Sequence, residues 1–81
     1  MTVRLGDGVI LLEGACLIED AAPLLDLMLA HPGLPVDLDE CARVHMAVAQ
    51  ILLAARPAVR RPPKDVFMRD WLVPLLATRT N

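Results

Sequence analysis

The chain has 81 residues, of which 56% are apolar and 22% are charged, and its formal net charge is −2. This length leaves room for one domain with a modest core, so a deep, walled active site is not expected. The slightly acidic balance argues against a nucleic-acid binder, and no apolar stretch reaches the roughly 18–20 residues that a bilayer requires.

Hydroxyl side chains are scarce in this sequence. It contains no Ser and no Tyr, and its Thr residues are Thr2, Thr78 and Thr80. A serine nucleophile, a tyrosine acid and a hydroxyl phosphorylation site inside the fold are therefore excluded. The first residues lack a basic segment followed by a long apolar one, so we expect no secretion signal and a cytoplasmic protein. In that compartment Cys16 and Cys41 are expected to be reduced, apolar core residues.

The N-terminal segment predicts a β-hairpin. Residues 2–5 and the apolar run 9–12 lie on either side of Gly6-Asp7-Gly8. Glycine tolerates the positive φ that tight hairpin turns need, so the simplest interpretation is strand, turn, strand. The second run has no alternation of apolar and polar residues, which is typical of a strand covered on both faces.

A helix over residues 21–30 and a short strand near 35–38 follow. Glu19, Asp20 and Pro23 suit the first turn of a helix, and His31-Pro32-Gly33 ends it. The strand runs into three carboxylates, which we interpret as a solvated strand terminus and not as an acid-base pair; they belong to Asp37, Asp39 and Glu40.

Residues 44–56 predict a second helix that is apolar almost all the way round. Only His45 and Gln50 are polar within it. Burying one face would leave apolar side chains near the surface, so a partner could cover them. Cys41 and His45 lie four residues apart, but a break between strand and helix is expected there, and no metal site is predicted.

The last third predicts a strand over residues 57–61 and an amphipathic helix over 66–76. Pro74 is expected to kink or end that helix. Three basic residues at and just after the end of this strand are interpreted as ordinary solvated charges; they are Arg60, Arg61 and Lys64.

The order of these elements predicts a single α/β domain over residues 1–81. Strands that alternate with crossover helices indicate a mainly parallel sheet. We expect four strands, an N-terminal hairpin and about three helices packed on one face, with the other face partly open.

The spacing of several short segments is informative about the family. Leu12-Glu13-Gly14 ends the second predicted strand. Further along, Val36-Asp37-Leu38-Asp39 is followed by His45-Met46-Ala47-Val48 and a Leu-rich helix, at a spacing that matches a family motif with no insertion or deletion. In this pattern the chain resembles a STAS domain of the anti-sigma-factor-antagonist type, over about residues 9–76. That family has a strand ending in Glu-Gly, an Asp-Leu-Ser strand and an Asp-Ser-Ala-Gly motif before a helix. The phosphorylatable Ser of the motif falls on Met46, its Asp on His45 and its Gly on Val48. An acidic residue often found after the Glu-Gly turn falls near Leu17.

The resemblance implies a non-catalytic interaction module in a bacterial signalling complex. Its partner would be a kinase-like, anti-sigma or chemotaxis protein, bound at the start of the second helix. Met46 cannot accept a phosphoryl group, so binding is expected to be independent of phosphorylation. The predicted partner-binding residues are His45, Met46, Ala49, Gln50 and Leu53. An accessory subunit on the ATPase of an ABC-type transporter and a homodimer remain alternatives. No cofactor and no membrane insertion are expected.

Overall fold

The computed structural model describes residues 2–77 and has an α/β architecture with three helices and a mixed four-stranded sheet. The strands are β1 (Val3–Leu5), β2 (Ile10–Leu12), β3 (Gly14–Cys16), β4 (Val36–Asp37), β5 (Cys41–Val44) and β6 (Val59–Arg61). The helices are α1 (Ala21–Ala30), α2 (Met46–Ala55) and α3 (Val66–Ala77), and a short 3-10 helix (Ile18–Asp20) precedes α1.

The main sheet has the strand order β1-β2-β4-β6. β1 and β2 form the predicted antiparallel hairpin, in which Val3 lies opposite Leu12. The amide of Gly6 donates to the carbonyl of Val9 at 2.7 Å, and Gly8 takes a left-handed φ of 70° in the turn. β4 is parallel to both of its neighbours, β2 and β6. The sheet therefore combines one antiparallel pairing with two parallel pairings.

A second, two-stranded sheet pairs β3 with β5 in parallel. Neither strand was predicted from the sequence. Gly14 has a φ of 68°, a left-handed conformation that turns the chain from β2 into β3, and its amide donates to the carbonyl of Glu40 at 2.7 Å. This small sheet brings the segment after β3 next to the segment after β5.

One hydrophobic core receives side chains from the main sheet and from all three helices. Among the residues with no exposed surface, Leu24 comes from α1, Leu52 from α2 and Leu72 from α3. The strands contribute Val3, Ile10, Leu12 and Val36. The three helices are thus held to the sheet by burial of apolar surface, the main favourable contribution to folding.

The bounds of the helices show where the local sequence was sufficient to predict them. α1 has the predicted bounds. α2 begins two residues later than predicted because Val44 belongs to β5. α3 begins after Asp65, whose carboxylate accepts the amide of Met68 at 3.0 Å, and it continues through Pro74 to Ala77. Pro74 therefore does not end the helix. The guanidinium of Arg56 donates to the carbonyl of Leu75 at 2.9 Å, which satisfies an acceptor near this helix end.

Within residues 2–77, none of the helices combines the length and the apolar character that crossing a bilayer would take.

Candidate interaction site

The N-terminus of α2 is defined by His45. This residue has extended backbone angles, and its Nδ1 accepts a hydrogen bond from the amide of Ala47 at 3.0 Å. Its carbonyl accepts the amide of Ala49 at 3.0 Å, the first bond of the helix. An imidazole nitrogen thus does the capping that Ser, Thr, Asp or Asn usually provides. This fixes the imidazole at the surface beside Met46, the first residue of the helix.

The β3–β5 pairing places a second segment against this helix start. The amide of His45 donates to the carbonyl of Cys16 at 2.8 Å, so Leu17 follows one strand where His45 follows the other. The amide of Leu17 donates to the Asp20 carboxylate at 2.7 Å, which holds the 3-10 helix in shape. The 3-10 helix in turn contacts α2. Leu17 and Ile18 therefore lie on the same end of the molecule as Met46.

Three large apolar side chains at this end are exposed to solvent. Leu17 is 51% exposed, Ile18 59% and Met46 64%. We call Leu17, Ile18 and Met46 the apolar patch. Exposed apolar side chains that cluster are typical of surfaces that bind another protein, whereas single ones are common and need no explanation.

The five residues predicted to bind a partner differ in how far their side chains are exposed to solvent. His45, Met46 and Gln50 are exposed, and Leu53 is half-buried against the core. Ala49 is 1% exposed, so its methyl group packs inside and supports the surface from below. Burial of Val48, Ala49 and Leu52 turns that face of α2 inward.

Leu17 and Ile18 were not among the predicted site residues. The available signal was a pair of large apolar residues directly after a strand and directly before Glu19 and Asp20. The pairing of β3 with β5, which links residues 27 or 28 positions apart, places the pair at the same end of the molecule as Met46.

The carboxylates after the third predicted strand do not form a solvated terminus as a group. Asp37 is 4% exposed, and its Oδ2 accepts Nε of Arg61 at 2.9 Å and Nη2 at 2.8 Å. Its Oδ1 accepts the amide of Asp39 at 3.0 Å. Burial raises the pKa of Asp37, but these hydrogen bonds outweigh burial and hold the pKa below its ordinary value. The solvated interpretation was therefore wrong for Asp37.

Arg61 and Lys64 also differ from the predicted solvated charges, because both form ion pairs with these carboxylates. Arg61 lies in β6 and also approaches Asp39 at 3.4 Å, while Lys64 lies 3.5 Å from Asp39 and 3.4 Å from Glu40. Hydrogen bonding to Asp37 raises the pKa of Arg61, and hydrogen bonding to Glu40 raises the pKa of Lys64. These ion pairs join β6 and the segment before α3 to the end of β4.

The two cysteines are both free and buried, as predicted from the sequence. Over residues 2–77, no three side chains of His, Cys, Asp or Glu come together as a metal ion would require.

Comparison of this chain with protein-family models, with curated proteins and with solved structures gives no match.

Proposed function

We propose that this protein is a non-catalytic interaction module that regulates or scaffolds a bacterial signalling complex, independently of phosphorylation. The partner is a kinase-like, anti-sigma or chemotaxis protein that docks on the apolar patch and on His45 and Gln50 beside it. The observation that carries the proposal is the exposure of Leu17, Ile18 and Met46 together, at 51%, 59% and 64%.

The placement of the STAS-like segments supports this assignment. His45 caps α2 and Met46 is its first residue, so the segment that resembles the Asp-Ser-Ala-Gly motif lies at a helix start. In the family that the chain resembles, partners bind at this place. Here a thioether stands where the Ser would be, and a thioether offers a flexible apolar contact and no phosphoryl acceptor.

The charges around the patch are also compatible with a docking surface. Glu19 is exposed at its edge, while Asp20 is engaged with the Leu17 amide. None of the three patch residues is charged, which is compatible with the apolar centre and polar rim of protein interfaces. A partner would therefore bury Met46 and Ile18 and leave Glu19 at the rim.

The experiment compares capture of partners by the tagged wild-type chain with capture by Met46→Asp and Ile18→Asp. A carboxylate at either position would be buried without a partner in the complex, which is costly. Leu29→Asp is the matched control, because Leu29 is 71% exposed and lies near the far end of α1. All three variants replace an exposed apolar residue and should keep the far-UV circular dichroism of the wild type.

A kinase-like, anti-sigma or chemotaxis protein captured by the wild type and by Leu29→Asp, but by neither patch variant, is the expected result. With the purified partner, Met46→Asp should raise Kd by about 30-fold or more. Phosphatase treatment should leave Kd unchanged. Equal capture by the wild type and both patch variants would contradict the proposal, and capture of a transporter ATPase would favour the accessory-subunit alternative.

A further inference from the structure

The cap of α2 is an imidazole nitrogen and not one of the usual capping oxygens. Nδ1 of His45 accepts the amide of Ala47 at 3.0 Å, and the residues on either side, Val44 and Met46, have apolar side chains. A ring nitrogen that accepts a hydrogen bond carries no proton. The cap therefore requires the neutral imidazole, with its proton on Nε2.

This hydrogen bond is lost when the imidazole is protonated. The imidazolium carries a hydrogen on both nitrogens, so it can accept no bond from the amide of Ala47. It also brings positive charge to the N-terminal end of a helix, where the aligned peptide dipoles favour negative charge. Imidazole side chains change charge between about pH 5 and pH 8, so the cap is present at mildly alkaline pH and is lost as the pH falls towards 5.

The charged and titratable groups around the start of α2 belong to other elements, since α2 itself carries no charged side chain. They are Cys16 in β3, Glu19 and Asp20 in the 3-10 helix, Asp26 in α1, Cys41 and Arg43 in β5, and Arg69 and Asp70 in α3. Carboxyl groups ordinarily titrate below about pH 5 and thiols above about pH 8. A change between these limits is therefore assigned to histidine, and the second histidine of the chain, His31, lies at the C-terminal end of α1.

We propose that His45 is a pH-sensitive switch in the docking surface: protonation of its imidazole releases the cap, loosens the first turn of α2 and weakens binding at the apolar patch. The last step rests on the proposed function, because Met46 of the apolar patch is the first residue of that turn. Leu17 and Ile18 belong to the 3-10 helix segment and do not depend on this cap. The switch therefore acts on one of the three patch residues and leaves the rest of the domain folded.

Nuclear magnetic resonance of the isolated chain tests the switch directly. At about pH 7.5 the nitrogen shifts of the His45 ring should show a proton on Nε2 and none on Nδ1, and towards pH 5 they should move to those of imidazolium. Over the same range the protection of the Ala47 amide against hydrogen exchange, corrected for its intrinsic rate, should fall about 5-fold, the equivalent of a typical cap. A proton on Nδ1 at the higher pH, or equal protection of Ala47 at both pH values, would overturn the proposal.

Variants separate His45 from the other titrating groups. His45→Asn keeps a capping oxygen that does not titrate, so the unfolding equilibrium constant of the wild type, divided by that of His45→Asn, should rise about 5-fold from pH 7.5 to pH 5. His45→Ala lacks the cap at every pH, and the wild type should approach it at the lower pH. His31→Gln is the matched control and should keep the wild-type pH dependence. A pH dependence that is lost in His31→Gln and kept in His45→Asn would contradict the assignment.

The purified partner tests the effect on docking. Its Kd for the wild type should rise about 3-fold or more from pH 7.5 to pH 5.5, and its Kd for His45→Asn should rise less, because titration of the partner affects both equally. An equal rise for both chains would overturn the link between the cap and docking. Capture of no partner would contradict the proposed function, whereas the ring shifts and exchange rates test the switch on the isolated chain.

Discussion

Asp37→Ala should lower the free energy of unfolding by about 2 kcal/mol. The carboxylate is 4% exposed and accepts two hydrogen bonds from Arg61 and one from the amide of Asp39. A hydrogen bond contributes about 0.5–1.5 kcal/mol net, and somewhat more when a charge takes part. Removing the carboxylate also removes the unfavourable free energy of burying a charge. The expected loss of stability therefore lies near the lower end of the range obtained by adding the three hydrogen-bond contributions.

Two carboxamide variants separate the contribution of the Asp37 charge from that of its hydrogen bond to the Asp39 amide. Asp37→Asn keeps an oxygen for the Asp39 amide but loses the charge opposite Arg61, so we expect a loss of about 1 kcal/mol. Asp39→Asn is the control, because that side chain is 21% exposed and lies 3.4 Å from the same guanidinium. Its loss should not exceed about 0.5 kcal/mol.

Urea unfolding followed by Trp71 fluorescence measures these differences, with circular dichroism as a second probe. For a domain of this size, the Asp37→Ala loss corresponds to a Tm lower by roughly 10 °C. Equal losses for Asp37→Ala and Asp39→Asn would refute the assignment of Asp37 as the central acceptor.

The stability of the fold at acidic pH should depend on the same carboxylate. The pKa of Asp37 in the fold lies below its ordinary value because hydrogen bonds outweigh burial. Its contribution is therefore complete above about pH 5 and is lost as the pH falls through the lowered pKa, below about pH 4. The stability difference between wild type and Asp37→Asn should shrink in that range. A stability difference between these two proteins that grows as the pH falls would contradict a lowered pKa for Asp37.

Substitutions in three further regions test the helix start, a turn and the third helix by urea unfolding. His45→Ala should cost about 1 kcal/mol through loss of the α2 cap, and His45→Asp should match or exceed wild type, since a carboxylate caps well and favours a helix N-terminus; a His45→Ala protein as stable as wild type would contradict the cap. Gly14→Ala should cost about 1 kcal/mol because of the φ of 68°, with Asn less harmful, whereas equal costs would argue against a left-handed residue. Leu72→Ala should cost about 3 kcal/mol and Leu75→Ala under about 1 kcal/mol, because Leu72 is fully buried and Leu75 is 44% exposed; a reversed order would mean that α3 presents its other side to the core.

Local sequence was sufficient for the elements whose ends are set by nearby residues. Pro23 lies in the first turn of α1 and His31-Pro32-Gly33 follows its end, so its predicted bounds agree with the structure. Glu19 and Asp20, predicted for the same first turn, belong instead to the preceding 3-10 helix. The hairpin is likewise determined by the glycines between its strands. In both cases the deciding interactions connect residues only a few positions apart.

The β3–β5 sheet could not be predicted in the same way. Residues 41–44 contain nothing that forbids a helix, and the segment 14–16 looks like the end of the preceding strand. Each becomes a strand only because it pairs with the other across the chain. The intrinsic propensity of a segment predicts its secondary structure only weakly, and tertiary pairing of this kind overrides it. The same pairing places Val44 in β5 and so shifts the start of α2 to Met46.

The exposure of the candidate site residues could not be predicted, for a related reason. α2 is apolar on nearly every side, so its sequence gave no means of separating Ala49, which is buried, from Met46, which is 64% exposed. The same ambiguity affected Asp37, because its partner Arg61 lies twenty-four residues away. A strand terminus with three acidic residues does not reveal which of them a distant guanidinium will cover.

The structure changes what the apolar excess of α2 means. Most of it is used inside the fold, since Val48, Ala49 and Leu52 are buried and Ile51 and Leu53 pack against the core. Met46 alone on this helix remains a strongly exposed large apolar side chain among the described residues. A docking surface built from α2 by itself would therefore be small, and it gains its area from Leu17 and Ile18 across the β3–β5 sheet. The two unpredicted strands thus place the second half of the apolar patch at the helix start.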